Sequence, residues 1–416
     1  MSAETLTIAR MGAEGDGIAD SASGPVFVPF AIPGDVVSVV RIKNQGTVMA
    51  VTSPSPDRVA PSCLHFGPDA DGGACGGCNL QHMALPAYHA FKRDLVVHAL
   101  KAKGLTPEIA PLVVAAPHER RRAVFTARKT EKELLLGFHQ AGSHHIVSIQ
   151  DCPVISKGLL ARLGSLKTIG RALATSSEPF RMTVLETETG LDLALEGIKG
   201  LDDAKRRLGI ETILREKGIA RVSLNGETLI EPVTPVLRFG SIDVSPPSGG
   251  FVQATRQAEQ VMVELVLGHL GKAKRVADLF AGSGTFSLQI ARIARVHAVE
   301  SDDKALKALD RAARMSQGLK PVTVEKRDLF RRPLMAQELK TYDAVVFDPP
   351  RAGAEFQTQE LARSGVRKIV AVSCNPLTLA RDLALLTAAG YAIRFVTPID
   401  QFLWSSHVEI VVGLEK

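Results

Sequence analysis

The sequence predicts an α/β protein in three parts: a small N-terminal β-barrel, a mixed α+β central domain and a C-terminal parallel sheet covered by helices. Short strand-like runs separated by Gly and Pro fill residues 5–52, and strand-like and helical runs mix up to residue 245. Beyond the breaker cluster at residues 245–250 the two patterns alternate regularly, as in a parallel sheet. The predicted units are residues 1–57, residues 58–85 together with residue 152, residues 86–245, and residues 246–416.

Composition and charge indicate which partners and which cell compartment the protein could have. The 50 Lys and Arg against 44 Asp and Glu give a net charge of +6, which is compatible with a polyanionic partner without requiring one. The N-terminus has no charged region followed by a long apolar run, and no segment reaches about 18 uninterrupted apolar residues. We therefore expect a cytoplasmic protein that does not enter a membrane.

The sequence of the N-terminal unit predicts a small β-barrel. Apolar and polar residues alternate in runs at residues 6–10, 26–30, 35–41 and 47–52, and four or five short strands at this spacing predict a β-barrel. The pattern resembles the TRAM domain, an OB-like barrel found on RNA-modifying enzymes. Strand spacing alone fits any other small β-barrel equally well.

The cysteines are an odd, unevenly spaced set and make a poor disulfide framework. Cys63, Cys75 and Cys78 are close in the sequence, and the Gly-Gly between the last two lets the backbone fold tightly around one metal centre. A fourth ligand is expected, and Cys152 is the candidate apart from Cys374. Four sulfur ligands suit tetrahedral zinc or an iron-sulfur cluster, and their spacing does not separate the two.

Two groups of basic residues have open interpretations. His65 and His82 could also bind zinc, or they could be solvated loop residues. The run at residues 119–122 contains three arginines and, with Arg128 and Lys129, could contact phosphates. The alternative for these side chains is an ordinary solvated charged face.

The central and C-terminal elements follow from periodicity. In the central unit we expect one helix over residues 88–103 and strands at residues 123–127, 134–138, 182–186, 191–196 and 220–224. In the C-terminal unit the predicted strands are residues 275–279, 296–299, 322–326, 342–347, 366–372, 392–397 and 408–414. The predicted helices there are residues 255–270, a helix through Ala294, residues 303–315 and residues 377–389. Ligands of such a sheet bind at the carboxyl ends of its strands.

The strand ends carry polar residues at matching places. The turn at residues 280–285 contains a Gly-x-Gly, which is compatible with a dinucleotide site, but the third glycine of that fingerprint is missing. Four acids stand at four successive strand ends: Asp278, Glu300, Asp328 and Asp348. This order favours a class I S-adenosylmethionine-binding fold, Rossmann-like with a seven-stranded sheet, although any one acid could simply cap a helix.

The strand-like run from Lys368 delivers a single cysteine, Cys374, into a turn. A thiol at the end of a buried strand can act as a nucleophile, whereas most free cysteines are small buried hydrophobes. The motifs around it distinguish the two. Residues 278–288, 347–353, 373–382 and 407–409 resemble the motif series of the RNA uracil-5 methyltransferases, and Cys75-Gly-Gly-Cys78 with Cys152 is similar to that family's iron-sulfur branch, known as 23S ribosomal RNA (uracil-5-)-methyltransferases.

This resemblance implies an enzyme of EC class 2.1.1 that methylates uracil C5 in RNA with S-adenosyl-L-methionine, with ribosomal RNA favoured and transfer RNA possible. It implies Cys374 as the nucleophile that adds to C6, Glu409 as the base, and Asp348 as the residue that orients the uracil. The implied cofactor-binding residues are Gln253, Phe280, Gly282, Thr285, Glu300, Asp328 and Asp348. The implied ligands of a [4Fe-4S] cluster are Cys63, Cys75, Cys78 and Cys152.

Two other functions remain open. A non-catalytic iron-sulfur RNA-binding protein would explain the barrel, the cysteines and the charge, but not Cys374 and the strand-end acids. An N-methyltransferase acting on exocyclic amines would explain Asp348-Pro-Pro350, but it needs no nucleophilic cysteine. In each case we expect a monomer.

Overall fold

The N-terminal six strands of the computed structural model, which describes residues 3–68, 70 and 72–416, form one sheet in the order β1-β5-β6-β4-β3-β2. The strands are β1 (Ala3–Thr7), β2 (Arg10–Met11), β3 (Gly17–Ser21), β4 (Gly24–Val28), β5 (Val36–Ile42) and β6 (Gln45–Ser53). The N–H of Ala9, just beyond β1, donates to the carbonyl of Ile18 in β3 at 2.8 Å, so the continuation of the first strand closes the sheet into a barrel. Its alternating Val side chains fill the interior. The predicted barrel is confirmed, with one more short strand than expected.

The central part is a second sheet with helices on it. Its elements are α1 (Leu85–Lys101), β7 (Arg122–Lys129), β8 (Leu134–His139), β9 (Ile146–Ser148), α2 (Lys157–Leu160), α3 (Leu163–Leu173), β10 (Phe180–Thr187), β11 (Gly190–Glu196), α4 (Asp203–Arg215), β12 (Ile219–Leu224) and β13 (Glu227–Ile230). The seven strands are ordered β13-β12-β11-β10-β7-β8-β9, and α3 buries Leu166, Ile169 and Leu173 in their core. These three positions recur every three or four residues, which gives α3 one apolar face. The two-stranded hairpin β14 (Leu237–Phe239) and β15 (Ile242–Val244) follows.

The C-terminal part is a seven-stranded sheet between layers of helices, as predicted. Its elements are α5 (Arg256–Leu270), β16 (Arg275–Leu279), α6 (Ser287–Ile290), β17 (Arg295–Glu300), α7 (Asp303–Met315), β18 (Val322–Lys326), α8 (Ala336–Leu339), β19 (Ala344–Phe347), α9 (Glu355–Ser364), β20 (Lys368–Ser373), α10 (Pro376–Ala388), β21 (Ala392–Ile399) and β22 (Glu409–Glu415). The strand order is β18-β17-β16-β19-β20-β22-β21. The first five strands are parallel, and β22 runs antiparallel to both of its neighbours.

This topology determines where the polar strand ends meet. The carboxyl ends of parallel strands lie at one edge of the sheet, and an antiparallel strand starts at that same edge. The start of β22 therefore lies beside the end of β20, far from it in the sequence. The central strands are buried on both faces, which explains why runs such as Ala344–Phe347 are continuously apolar rather than alternating.

The predicted helix through Ala294 is wrong in extent. Regular α-helix ends at Ile290. The turn that follows includes a hydrogen bond that spans three residues instead of four, from the N–H of Ile293 to the carbonyl of Ile290 at 2.9 Å. Since β17 begins at Arg295, the chain has only four residues in which to reverse. Among the helices that the structure describes, none combines the length and the apolar character needed to cross a membrane.

Arg121 and Arg122 join the central sheet to the C-terminal part. Arg121 is 3% exposed, and its guanidinium forms an ion pair with Glu259 of α5 at 2.5 Å. Arg122 donates to the carbonyls of Gly249 and Gly250, and Arg120 borders a cavity lined by cysteines. For Arg121 both sequence-based interpretations are therefore wrong, because its charge is buried and paired with a carboxylate distant in the sequence. Phosphate contact by the other basic residues of this group stays a prediction.

Candidate active site and cysteine cavity

Cys374 and Glu409 meet across the last pair of central strands. Ser373, at the end of β20, pairs with Ile410 near the start of β22, so the antiparallel register brings Cys374 opposite Glu409. Glu409 is 3% exposed, whereas Cys374 is only partly buried and remains accessible. The predicted nucleophile and the predicted base are thus neighbours at the ligand-binding edge of the sheet.

The Cys374 thiol is protonated in the resting protein. Its pKa is raised to about 11, mainly by burial and also by the nearby carboxyl groups of Glu409 and Asp348, while Arg351 opposes the rise. The thiolate is the nucleophilic form of cysteine. Reaction at Cys374 therefore requires a step that removes this proton or neutralises the acids beside it.

Asp348 and Glu409 are linked by two glutamine side chains. Gln253 donates from Nε2 to Asp348 Oδ2 at 3.1 Å. Gln401 donates from Nε2 to Gln253 Oε1 at 2.9 Å and to Glu409 Oε2 at 3.0 Å, while its own Oε1 accepts the N–H of Ala254 at 2.8 Å. Every polar hydrogen and oxygen of the Gln401 amide is thereby used. The chain Asp348–Gln253–Gln401–Glu409 holds the two acids in a fixed relation.

Burial gives the two acids unusual protonation behaviour. It is the main cause that raises the pKa of Asp348, against the hydrogen bond from Gln253. It also raises the pKa of Glu409 well above its usual range; the charge of Asp348 adds to this, and the bond from Gln401 opposes it. Because each charge disfavours the other, the pair retains a proton more readily than two isolated carboxyl groups. Such a pair can donate as well as accept hydrogen bonds near neutral pH.

The two glycines in the turn after β16 have different functions. A Cβ at Gly284 would lie 2.8 Å from Leu309 Cγ of α7, so Gly284 allows the turn to pack on that helix. A Cβ at Gly282 would meet nothing within 4 Å, and the φ of +52° at this residue favours glycine. The N–H of Gly282 donates to Glu300 Oε2 at 3.0 Å, which ties the turn to the end of β17. Gly282 is therefore the place where a ligand can approach the backbone.

Three other predicted residues border this edge. Phe280 adopts a left-handed φ of 61°, and its ring lies 5.5 Å from that of Phe330. Asp328 is exposed after β18, and its carboxylate accepts the N–H of Phe330 at 3.0 Å. Glu300, Asp328 and Phe280 thus follow adjacent strands of the sheet, in the arrangement expected of a nucleoside-binding edge. Thr285 borders a separate groove, which it shares with Gln289 and Arg238.

Asp278 has a structural position. It lies inside β16 rather than at its end, is fully buried, and accepts the Ser287 hydroxyl at 2.5 Å. Burial raises its pKa to about 7, against the hydrogen bond from Ser287. Its second oxygen has no hydrogen-bond partner among the residues that the structure describes. The hydrogen bond between Ser287 and Asp278 therefore ties the start of α6 to β16, on the two sides of the glycine turn.

The four remaining cysteines line one cavity of about 210 Å³: Cys63, Cys75, Cys78 and Cys152. Burial raises the pKa of Cys75 to about 11 and that of Cys78 to about 12, and the other thiols add to the effect. Arg120 and Arg122 also line the cavity, and Arg120 is a cation close to Cys152. Thiolates in this cavity would need a compensating positive group.

The four thiols line one cavity without converging on one point. Across the described parts of the chain, no three His, Cys, Asp or Glu side chains converge closely enough to hold one metal ion. The four thiols instead are spread around the wall of one cavity. Sulfur ligands suit soft metal centres, and Asp151 is the carboxylate that borders the same cavity.

His65 and His82 are not solvated loop residues, which corrects that interpretation. His82 is 1% exposed and lies 5.4 Å from the ring of Phe66, and burial lowers its pKa to about 4. His65 Nε2 accepts the N–H of Gln150 at 3.2 Å at the edge of the cavity. His82 lies between Phe30 of the barrel and Phe66 of the cysteine segment, a place that its surrounding sequence does not indicate.

Comparisons with known proteins agree on one family. The sequence profile of the tRNA (Uracil-5-)-methyltransferase family matches residues 192–416. An uncharacterized RNA methyltransferase of Agrobacterium fabrum is 65% identical over 416 residues, which is all of both chains. The 23S rRNA (uracil(1939)-C(5))-methyltransferase RlmD of Pseudomonas entomophila is 33% identical, over 99% of this chain and 93% of that protein.

Among solved structures, the tRNA (uracil-54, C5)-methyltransferase of Pyrococcus abyssi, in complex with S-adenosyl-L-homocysteine, matches with a TM-score of 0.77. It is 23% identical and covers 99% of both chains, so it supports the whole fold from barrel to final strand. With more than half of the chain matched by the profile and nearly all of it by relatives above 30% identity, the chain belongs to the tRNA (uracil-5-)-methyltransferase family, a family of S-adenosylmethionine-dependent RNA methyltransferases.

Proposed function

We propose that this protein methylates C5 of a uracil in RNA through a covalent bond between Cys374 and C6 of the base. The observation that carries the proposal is the register of β20 and β22, which sets Cys374 opposite Glu409 at the edge that also holds the glycine turn. A non-catalytic RNA-binding protein has no use for this juxtaposition. An N-methyltransferase would use Asp348 but not Cys374.

The covalent bond solves a chemical difficulty, because C5 of uracil is a poor nucleophile. Bound S-adenosylmethionine supplies an electrophilic methyl group. The Cys374 thiol gives its proton to the neighbouring Asp348 carboxylate, and the thiolate Sγ adds to C6. The C5–C6 electron pair shifts so that O4 takes the negative charge of an enolate. C5 of this enolate then takes the methyl group, and S-adenosylhomocysteine leaves. Splitting one hard step into easier ones is the general advantage of covalent catalysis.

The adduct is resolved by proton removal. Glu409 takes the proton from C5, the C5–C6 double bond re-forms, and the C6–S bond breaks to return Cys374. A carboxyl group of raised pKa is a suitable base for this step, because it can hold the proton afterwards. Asp348, when protonated, donates a hydrogen bond to the uracil edge and stabilises the enolate oxygen.

The target uridine must leave its helix to reach Cys374. A stacked and paired base is out of reach of a thiol in a cleft, so we propose a loop uridine or one flipped from its stack. The N-terminal barrel and the central domain, residues 1–57 and 86–245, would bind the surrounding RNA. The net charge of +6 favours such a partner.

We favour 23S ribosomal RNA over transfer RNA as the substrate. The cysteine cavity supports this choice, and so does the 33% identity to a protein named for 23S rRNA. The structural match named for tRNA is more distant in sequence. The experiment is to incubate the protein and S-adenosylmethionine with unmodified 23S rRNA and, separately, with unmodified tRNA, and to identify the methylated nucleoside by mass spectrometry after digestion.

We expect 5-methyluridine in the ribosomal RNA. Methylation only in tRNA would overturn the choice of substrate and leave the chemistry standing. An N-methylated nucleoside would overturn the C5 mechanism. The absence of a methylated nucleoside in both RNAs would favour the non-catalytic alternative.

We further propose that Cys63, Cys75, Cys78 and Cys152 hold a [4Fe-4S] cluster. Protein purified without oxygen should contain about four irons per chain, the number in this type of cluster. Cys78→Ser should lose the iron, because it removes one of the four sulfurs that line the cavity. Cys374→Ser is the matched control and should keep it. Stoichiometric zinc in place of iron would refute the cluster.

A further inference from the structure

A buried ion pair lies behind the candidate active site. Lys92 of α1 and Asp400, just after β21, are both fully buried, and Lys92 Nζ donates to Asp400 Oδ1 at 2.8 Å. Burying two charges carries a large desolvation penalty, and an apolar pair of similar size often stabilises a fold equally well. A buried pair in this position therefore calls for a role beyond stability.

The pair is part of a larger set of bonds to one segment, residues 400–408. Lys92 Nζ also donates to the carbonyls of Phe402, at 3.0 Å, and His407. Tyr88, one helical turn earlier on the same face of α1, donates its hydroxyl to Asp400 Oδ2 at 2.7 Å and accepts the N–H of Trp404 at 2.8 Å. Two side chains of α1 thus bind this segment near its start, in its middle and near its end.

The segment leads directly into the active site. Glu409 is the next residue, and Gln401, adjacent to Asp400, donates to Glu409 Oε2. Asp400 and Gln401 therefore send their side chains to different partners: the first to α1, the second to the chain of polar groups between Glu409 and Asp348. A shift of Asp400 would move Gln401 and change the position of the Glu409 carboxyl group.

The cysteine segment supports the same loop. The N–H groups of Asn79 and Leu80, the two residues after Cys78, both donate to the carbonyl of Trp404, at 3.0 and 3.1 Å. Trp404 has a left-handed φ of 56°, a conformation that a bulky residue rarely adopts and that persists only when its surroundings hold it. Bonds on both its N–H and its carbonyl hold it here.

We propose that Tyr88 and Lys92 are positioning residues for Glu409, acting through Asp400 and residues 401–408. They contact neither the uracil nor the methyl donor. This inference rests on the proposed function, since it assigns to α1 the placement of the base that resolves the covalent adduct. The consequence is specific: disturbing these residues should slow proton removal from C5 while leaving the formation of the Cys374 adduct intact.

The test uses the full-length protein and the RNA that the wild-type protein methylates. Tyr88→Phe removes one hydroxyl and keeps the ring, and Lys92→Met removes the charge and keeps most of the length. We expect both variants to accumulate a covalent protein–RNA adduct on ordinary RNA, visible after denaturing electrophoresis, with KM for RNA unchanged. Multiple-turnover kcat should fall, by up to about 100-fold for a misplacement of about 1 Å.

Three further variants serve as controls for this test. Lys101→Met makes the same change at an exposed position of the same helix and should behave as wild type. Glu409→Gln should accumulate the adduct most strongly. The double variant Lys92→Met/Asp400→Asn removes both charges of the pair, so that no unpaired charge is left buried. It replaces Lys92→Met in the test if that single variant does not fold, and it should still accumulate adduct.

The outcomes separate the two proposals. If Glu409→Gln accumulates adduct while folded Tyr88→Phe and the double variant turn over as wild type, the positioning role is wrong and the proposed function stands. A fall in activity without accumulated adduct, in folded variants, would also overturn it, because a merely structural role predicts that result. If Glu409→Gln itself forms no adduct while the wild type methylates, the assignment of Glu409 fails, and the positioning inference fails with it.

Discussion

Replacing Cys374 with serine is expected to reduce RNA methylation by at least about 10⁴-fold, the scale on which loss of a catalytic nucleophile acts. A serine hydroxyl has nearly the same size, but it is a much poorer nucleophile for C6 of uracil. The position at the end of β20 is unchanged by this substitution, so the binding of S-adenosylmethionine should remain as in the wild type. Methyl incorporation and calorimetric binding of the cofactor measure the two expectations separately.

The same variant can be tested with RNA that contains 5-fluorouridine. Fluorine at C5 cannot be removed as a proton, so the wild-type protein should stop at the methylated adduct and remain attached to the RNA during denaturing electrophoresis. Cys374→Ser should give no such band. An adduct that survives this substitution would place the nucleophile at another residue, and a wild-type protein that never forms the band would refute the uracil-5 mechanism.

Replacing Glu409 with glutamine is expected to lower multiple-turnover kcat by about 10²–10⁴-fold, the usual contribution of a general base. Glutamine keeps the shape of the side chain and can still bond to Gln401, but it cannot accept the proton from C5. The covalent adduct with ordinary RNA should therefore form and persist. Single-turnover methyl transfer, followed within the adduct, should stay near the wild-type rate.

Glu415→Gln is the matched control for this variant. It makes the same change at the other end of β22, where the carboxylate pairs with the exposed arginines Arg367 and Arg394. Its turnover should match that of the wild type. If Glu409→Gln slowed formation of the adduct as strongly as its breakdown, Glu409 would act before methyl transfer, by taking the proton of the Cys374 thiol, whose pKa is raised.

The cysteine cavity and the active site are connected through short stretches of main chain. Cys78 is followed directly by the two N–H groups that hold the Trp404 carbonyl, and Arg120 extends from the cavity wall to the ring of Phe402, 5.7 Å away. Both contacts end on the segment that precedes Glu409. The cysteine segment therefore belongs to the framework of the active site even though no cysteine in it reaches the reacting groups.

Local sequence patterns predicted most of the fold. The strands of the C-terminal sheet are short β-branched runs bounded by turns, and their periodicity and punctuation are properties of neighbouring residues. Cys374, Asp348, Glu300 and the glycine turn could be found for the same reason, since each directly follows a recognisable strand. The end of α6 could not be predicted from the sequence. The early start of β17 ends this helix, and the residues of the helix itself contain no signal for its end.

No local sequence pattern indicated that Gln401 belongs to the candidate site. Its partner Gln253 is 148 residues away, and its other partner Glu409 is reached only by the antiparallel turn from β21 into β22. Arg121 and Arg122 show the same limit. Their charge suggested RNA or solvent, but their partners are a carboxylate and carbonyl groups distant in the chain. A polar side chain satisfied by distant partners leaves no period or spacing to detect.

The sequence by itself determined the family, the order of the strands along the chain and the residue types that carry the chemistry, because motifs and periodicity are local. Only the tertiary structure decided that Cys374 and Glu409 face each other, that Gln401 joins Glu409 to Asp348, and that α1 holds the segment before Glu409. These depend on strand register and on the packing of a helix against a loop more than 300 residues later, as the Lys92–Asp400 pair is separated by 308 positions. Pairing over such distances is selected by the burial and bonding of the whole fold.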